Sequence, residues 1–314
     1  MSPSVRSLSA AGDAARLLTP RRLREMALAL RRDVRQFEPP SEPDPALVSV
    51  VREPYDSVED AAERLRELEA GLADRGDRRA VFLTVYTRMT ERIRARIADG
   101  YFADPAWMRT YTTTFANYYR RAFLAFERGE VGAVPDPWRV AFGTALRGDA
   151  LASQDAFLGI NAHINYDLAL TLADVGIDPD RAARRADHRA VDGVLGRLVD
   201  LQQAVLAETY AAGVADVDAA LGRLDERLSL AAITGGREHA WRIAVVLADA
   251  GWGPVASVAR WVLRATATGG AFVLRGPPLD PAVTDRLRAF EREGATLETL
   301  LATLRVELDE RADA

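Results

Sequence analysis

Apolar residues recur every three or four positions along most of this chain, the spacing of helices that each bury one face. Phe82, Val85, Tyr86, Met89, Ile93 and Ile97 keep that spacing through residues 81–98. Trp107, Tyr111, Phe115, Tyr118, Phe123 and Phe126 make the helix expected over residues 105–128 aromatic. Alternating strand-like runs closed by hairpin dipeptides are nearly absent. The pattern predicts an all-α fold, a single bundle-like domain of about ten to twelve helices.

Start and stop signals set the boundaries. Thr19-Pro20 puts an N-cap before a first-turn proline, opening a helix that closes before Pro39-Pro40. Glu38 to Pro45 reads as an acidic, proline-rich linker, dividing an N-terminal part over 1–46 from a helical domain over 47–314. Ser57 with Asp60 makes a capping-box-like start for a charged helix running to Asp74. Further helices are expected over 137–146, 153–174, 179–211, 216–230, 237–250, 254–266, 281–293 and 296–310. The last two form an αα-hairpin at Gly294, with Leu297, Leu300, Leu301 and Leu304 turned toward the body or a partner, which leaves a homo-oligomer open.

Composition narrows the chemistry. The 314 residues are 48% hydrophobic and 28% charged, as in a folded soluble protein. Basic residues number 41 against 46 acids, for a net charge of −5, and every one of those cations is arginine. Without lysine there is no Schiff-base catalysis and no lysine-dependent phosphate loop; without cysteine there is no thiol nucleophile, disulfide or thiolate metal site. The mild acidity argues against a nucleic-acid partner. No apolar run reaches the roughly 18–20 residues of a membrane span. Met1–Leu18 also lacks the basic start and apolar block of a leader, so a cytoplasmic location is expected.

Residues 157–172 are apolar on most sides yet carry Asn161, His163, Asn165 and Asp167. A helix apolar all round belongs in an interior, and its polar groups then need partners. His163 and Asp167 are four residues apart and share a face; in the next helix His188 and Asp192 repeat the spacing, with Asp187 beside them. The turn Gly176-Ile-Asp-Pro-Asp180 predicts an antiparallel hairpin between the two helices. Equal rise along both then sets the imidazoles and carboxylates at matching heights, as ligands for one divalent metal (Zn, Mn or non-haem Fe) or as a proton-exchanging seam. Alternatively, His163 bonds Asp167 within its own helix and His188 is simply an exposed side chain near a helix start. Asn161 and Asn165 are candidates to orient a substrate. His239 and Trp241, beside Arg237 and Arg242, are candidate substrate contacts, and His239 is also a candidate third ligand, general base or surface group. Tyr111, Phe115 and Tyr118 are candidates to wall an apolar ligand pocket, or are core. Glu-x-x-His and His-Glu-x-x-His spacings, the Asp-Asp-x-x-Asp of terpene cyclases and Gly-x-Ser-x-Gly are all missing.

The segment Leu158-Gly-Ile-Asn-Ala-His-Ile-Asn-Tyr-Asp-Leu168, with Asp187-His-Arg-Ala-Val-Asp192 and Ala240-Trp241, resembles an uncharacterised all-helical family of unknown function, over most of the chain after the linker. A looser likeness is to helical zinc-dependent phospholipase C and nuclease proteins; it implies that His163 and Asp167 are metal ligands, although this chain has too few histidines for a multi-zinc centre. The reading is a small-molecule enzyme doing hydrolytic or acid–base work on a largely apolar substrate at the His/Asp seam, with or without one divalent metal. The alternatives are a metal-free cyclase or isomerase, and a non-catalytic helical binding or scaffold protein.

Overall fold

The computed structural model describes residues 18–211, 230–250, 253–276, 285–289, 291 and 296–310. Those residues form twelve α-helices and no strand. They are α1 (Pro20–Arg31), α2 (Pro45–Val51), α3 (Val58–Asp74), α4 (Arg79–Ala98), α5 (Pro105–Glu127), α6 (Asp136–Arg147), α7 (Ala152–Ala162), α8 (Leu168–Val175), α9 (Arg181–Ala211), α10 (Leu230–Asp249), α11 (Gly253–Arg275) and α12 (Leu297–Glu310). A π turn, His163–Asp167, joins α7 to α8 without a break in the rod. The expected helix over 216–230 and the hairpin at Gly294 lie outside the described residues. Among the described residues no helix is long and apolar enough to cross a membrane.

Helix starts follow their caps. Thr19, Asp44, Ser57 and Asp104 each accept a backbone N–H of the first turn, and proline occupies the opening turn of α1, α2 and α5. At the other end of the central rod, Gly176 takes φ 76°, a conformation that stops α8 and is open to glycine at little cost.

The rod of α7, the π turn and α8 is the middle of the molecule. α4, α6 and α11 pack around its first half, and α5 and α10 around its second. The aromatic stripe of α5 serves this core: Phe115, Tyr119, Phe123 and Phe126 are all buried, with Trp138 and Phe142 of α6 interleaved among them. The structure corrects the expected hairpin. Beyond Gly176 the chain does not fold back along α7 and α8; α9 packs against α4, α10 and α12 instead. The aromatic rings of α5 fill the space a hairpin partner would have taken.

α1 closes the molecule by lying on α11, where Met26 meets Val262 and Ala265. The two backbones touch at Gly269, where an added Cβ would sit 1.8 Å from the Glu25 carbonyl oxygen. Backbone cannot give way as a side-chain end does, so Gly269→Ala is expected to destabilise the fold by about 1–3 kcal/mol in urea unfolding. Among the described residues, Gly235 of α10 has nothing within 4 Å of the same position. There Gly235→Ala is expected to gain up to about 1 kcal/mol, because alanine is the better helix former.

Candidate functional site

The central rod presents chemistry on two sides. In the π turn the Leu168 N–H donates to the His163 carbonyl, five residues back rather than four. Single π turns within α-helices occur frequently at functional sites. On one side of this rod His163 and Asp167 enter the aromatic core; on the other Asn161, Ile164 and Asn165 line a cavity.

The first side is closed. His163 Nδ1 lies 2.9 Å from Asp167 Oδ2, and the Trp138 indole N–H donates to the same oxygen at 2.7 Å. The Phe115 ring stacks on the imidazole with centroids 3.6 Å apart, and Tyr86 meets it edge-on at 4.4 Å. Burial pushes the Asp167 carboxyl well above its usual range, with the Trp138 hydrogen bond opposing, and pushes the His163 imidazole well below its own. Both groups are thereby driven toward neutral forms, which share the one hydrogen bond between Nδ1 and Oδ2. Among the described residues, His163 Nε2 and Asp167 Oδ1 have no hydrogen-bond partner. Beside them, Tyr86, Tyr111 and Phe115 border a void of about 20 Å³. That is room for a water molecule but not for a substrate.

His188 belongs to a different group. The Tyr111 O–H donates to His188 Nδ1 at 2.9 Å, and His188 Nε2–H donates to the Arg237 carbonyl at 3.2 Å. Burial pushes the Tyr111 phenol up to about 12, which keeps it a donor, and burial followed by Arg237 holds His188 well below its ordinary value. Arg237 donates through Nε to Asp192 at 2.6 Å and through Nη2 to the His188 carbonyl. Asp187 accepts the backbone N–H groups of Ala103 and Asp104, both at 2.8 Å, and so shapes the entry to α5. Trp241 packs on His188, while the Tyr118 O–H donates to Asp174 at 2.6 Å rather than facing a pocket. The four-residue seam is therefore not assembled. Tyr111 and Phe115 stand between its two halves, and among the described residues no three His, Asp or Glu side chains converge as a metal shell.

The second side is open. A cavity of about 590 Å³ lies between α1, α7, the π turn, α10 and α11. That volume is within the range of small-molecule sites, about 300–1,000 Å³. Phe157, Ile160, Ile164, Val273 and Leu274 make its apolar wall. Asn161 donates to the Ala267 carbonyl at 2.8 Å and accepts from Asn165 at 3.0 Å, forming an amide ladder along the wall. Gly236 and Gly270 leave room for it: a Cβ at either would come within 2.6 or 2.8 Å of an amide oxygen. His239 completes the polar side. Its residue is 5% exposed, and neither ring nitrogen has a hydrogen-bond partner among the described residues. Burial, then Arg22 and Arg242, lower its pKa to about 3.

Sequence reasoning placed Asn161, Asn165 and His239 among substrate-facing residues without linking them, and the structure brings all three to one cavity. It missed Arg21, Arg22 and Arg24, which line the mouth from α1. One signal was present: α1 opens on arginines with no acid in its first turn, the reverse of what a helix dipole favours.

All three histidines are buried and depressed, so none of their ring C–H resonances is expected to titrate between about pH 8 and 5 in an NMR series; a midpoint near 6.5 for His239 would contradict its burial. For His239 the folded value of about 3 lies below the free value of 6.5, so stability is lost as pH falls from 6.5 toward 3, where the unfolded chain binds a proton that the folded chain refuses. His239→Gln is expected to lose about 2 kcal/mol less than the parent between roughly pH 7 and 5 in urea unfolding.

No curated protein and no solved structure matches the chain. The likeness to zinc-dependent phospholipase C thus finds no support. One family model does match, over residues 58–277, a span that includes the π turn, the amide ladder and His239. The chain belongs to that family, DUF5995, described as a family of unknown function.

Proposed function

We propose that this protein binds a small, largely apolar molecule in the cavity beside the central rod and does acid–base chemistry on it with His239. The observation that carries this reading is a buried imidazole in the wall of a cavity of about 590 Å³, whose ring nitrogens are covered and have no partner among the described residues, so that a small turn of the ring would bring them to a ligand. Leaving such groups dry and unpaired is costly, and a ligand's polar atoms would relieve the cost. A neutral imidazole offers one hydrogen-bond acceptor and one donor to a ligand, and it takes up a substrate proton once ligand contact offsets the burial and the Arg22 and Arg242 charges that hold its pKa near 3. Asn165, on the same wall, would hold the substrate's polar end, and the apolar wall would take its body.

A second reading rests on the π turn and the unpartnered Nε2 of His163, which favour the His163–Asp167 pair as the proton-transfer group. The two readings separate in one experiment. The chain has only three histidines, so ring resonances can be assigned by single His→Gln variants. On titration with a neutral apolar probe, N-phenyl-1-naphthylamine, the His239 ring resonances are expected to shift, saturating at one probe per chain, while those of His163 and His188 stay in place. A shift at His163 instead would transfer the chemistry to the closed side. No shift at any ring would leave the protein a non-catalytic scaffold.

A further inference from the structure

The amide ladder on the cavity wall has a direction, and α11 sets it. The Ala267 carbonyl can only accept, so the Asn161 NH2 group faces it, at 2.8 Å. Asn161 Oδ1 therefore faces Asn165, whose own NH2 group donates to it at 3.0 Å. The relay leaves Asn165 Oδ1 as its free end, an acceptor with no hydrogen-bond partner among the described residues. Flipping the Asn165 amide would set two oxygens against each other, so the acceptor keeps its place. Asn165 is half-buried and lines the cavity, and a Cβ on Gly236 of α10 would sit 2.6 Å from this oxygen. A ligand that displaces water from this wall has to replace the hydrogen bond that water would give.

Resting on the binding reading above, we infer that the ligand carries a neutral hydrogen-bond donor, a hydroxyl or an amide N–H, which donates to Asn165 Oδ1 while its apolar body lies along Ile160, Ile164 and Leu274. A ligand with only an ether or ketone oxygen at that point would set oxygen against oxygen and leave the acceptor unpaired. A site built around a polar group rejects such analogues far more strongly than an apolar wall rejects a change of size. An ammonium donor is disfavoured, because Arg21, Arg22 and Arg24 line the same cavity with one acid, Glu25. Asn165 is thus the residue that chooses among apolar molecules of similar shape.

The test is isothermal titration of the whole chain with 2-naphthol, 2-naphthamide and 2-methoxynaphthalene, three neutral probes with one ring system and different heads. The tighter of the two donors is expected to bind at least about tenfold more tightly than the ether, and it identifies the head group. Asn165→Ala is expected to remove that advantage by weakening the donor and not the ether. Should the variant fail to fold by circular dichroism, the parent chain supplies a second measurement. It has only three asparagines, Asn117, Asn161 and Asn165, so isotope labelling of asparagine gives three side-chain amide signals in NMR. The donor is expected to shift the Asn165 signal and to leave that of Asn117, bonded to the Tyr55 carbonyl, in place. An ether that binds as tightly as both donors, or a bound donor that leaves the Asn165 signal unmoved, would overturn the inference while leaving the cavity reading in place. Donor preference retained in folded Asn165→Ala would also overturn it, by moving the acceptor elsewhere. Binding of none of the three would overturn both.

Discussion

Every polar group carried into the interior on the central rod has to be answered there, because leaving one dry and unpaired costs about 2–7 kcal/mol. The rod carries two amides, an imidazole and a carboxylate within seven residues. Its neighbours are placed accordingly. α6 supplies the Trp138 N–H to Asp167, α5 supplies the Phe115 face to His163, and α11 supplies the Ala267 carbonyl to Asn161. The π turn divides the rod's polar groups between two sides, one sealed by aromatic rings and one open to a cavity.

The two sides differ in what remains unanswered. In the core, the atoms left over belong to a pair that burial holds neutral, and the void of about 20 Å³ beyond Tyr86 and Phe115 is lined by neither of them. At the cavity, the leftover is an entire imidazole within reach of arginines. Volume decides between them as substrate sites: about 590 Å³ accommodates a small organic molecule and about 20 Å³ does not. The structure that opens the cavity is also the structure that charges it, since α1 can lie on α11 only because Gly269 lets the two backbones meet.

Particular elements show how far local reading goes. The caps at Thr19, Ser57 and Asp104 and the stripe on α5 are short-range features, recorded in neighbouring residues, and the helices form where those features put them. The pairing of His163 with Asp167 is equally local, four residues along one helix. The seam with His188 and Asp192 was inferred from matched heights on an assumed hairpin. It failed because height along a helix says nothing about what lies between two helices, and α5 inserted Tyr111 and Phe115 there. Asp187 and Asp192 looked like ligands and instead hold backbone N–H groups and Arg237, partners that are distant in sequence.

Periodicity, caps and composition dictated an all-helical chain, a buried rod with an uncommon load of polar side chains, and a chemistry limited to Asp, Glu, His, Tyr, Ser, Thr and Arg or a bound ion. Only the packing of distant helices decided that Asn161, Asn165 and His239 share a cavity, and that arginines from the far N-terminal helix close over it. Helix formation is governed by contacts three or four residues apart, which a sequence displays. A cavity is the space that residues hundreds of positions apart fail to fill, and that exists only once the chain has folded.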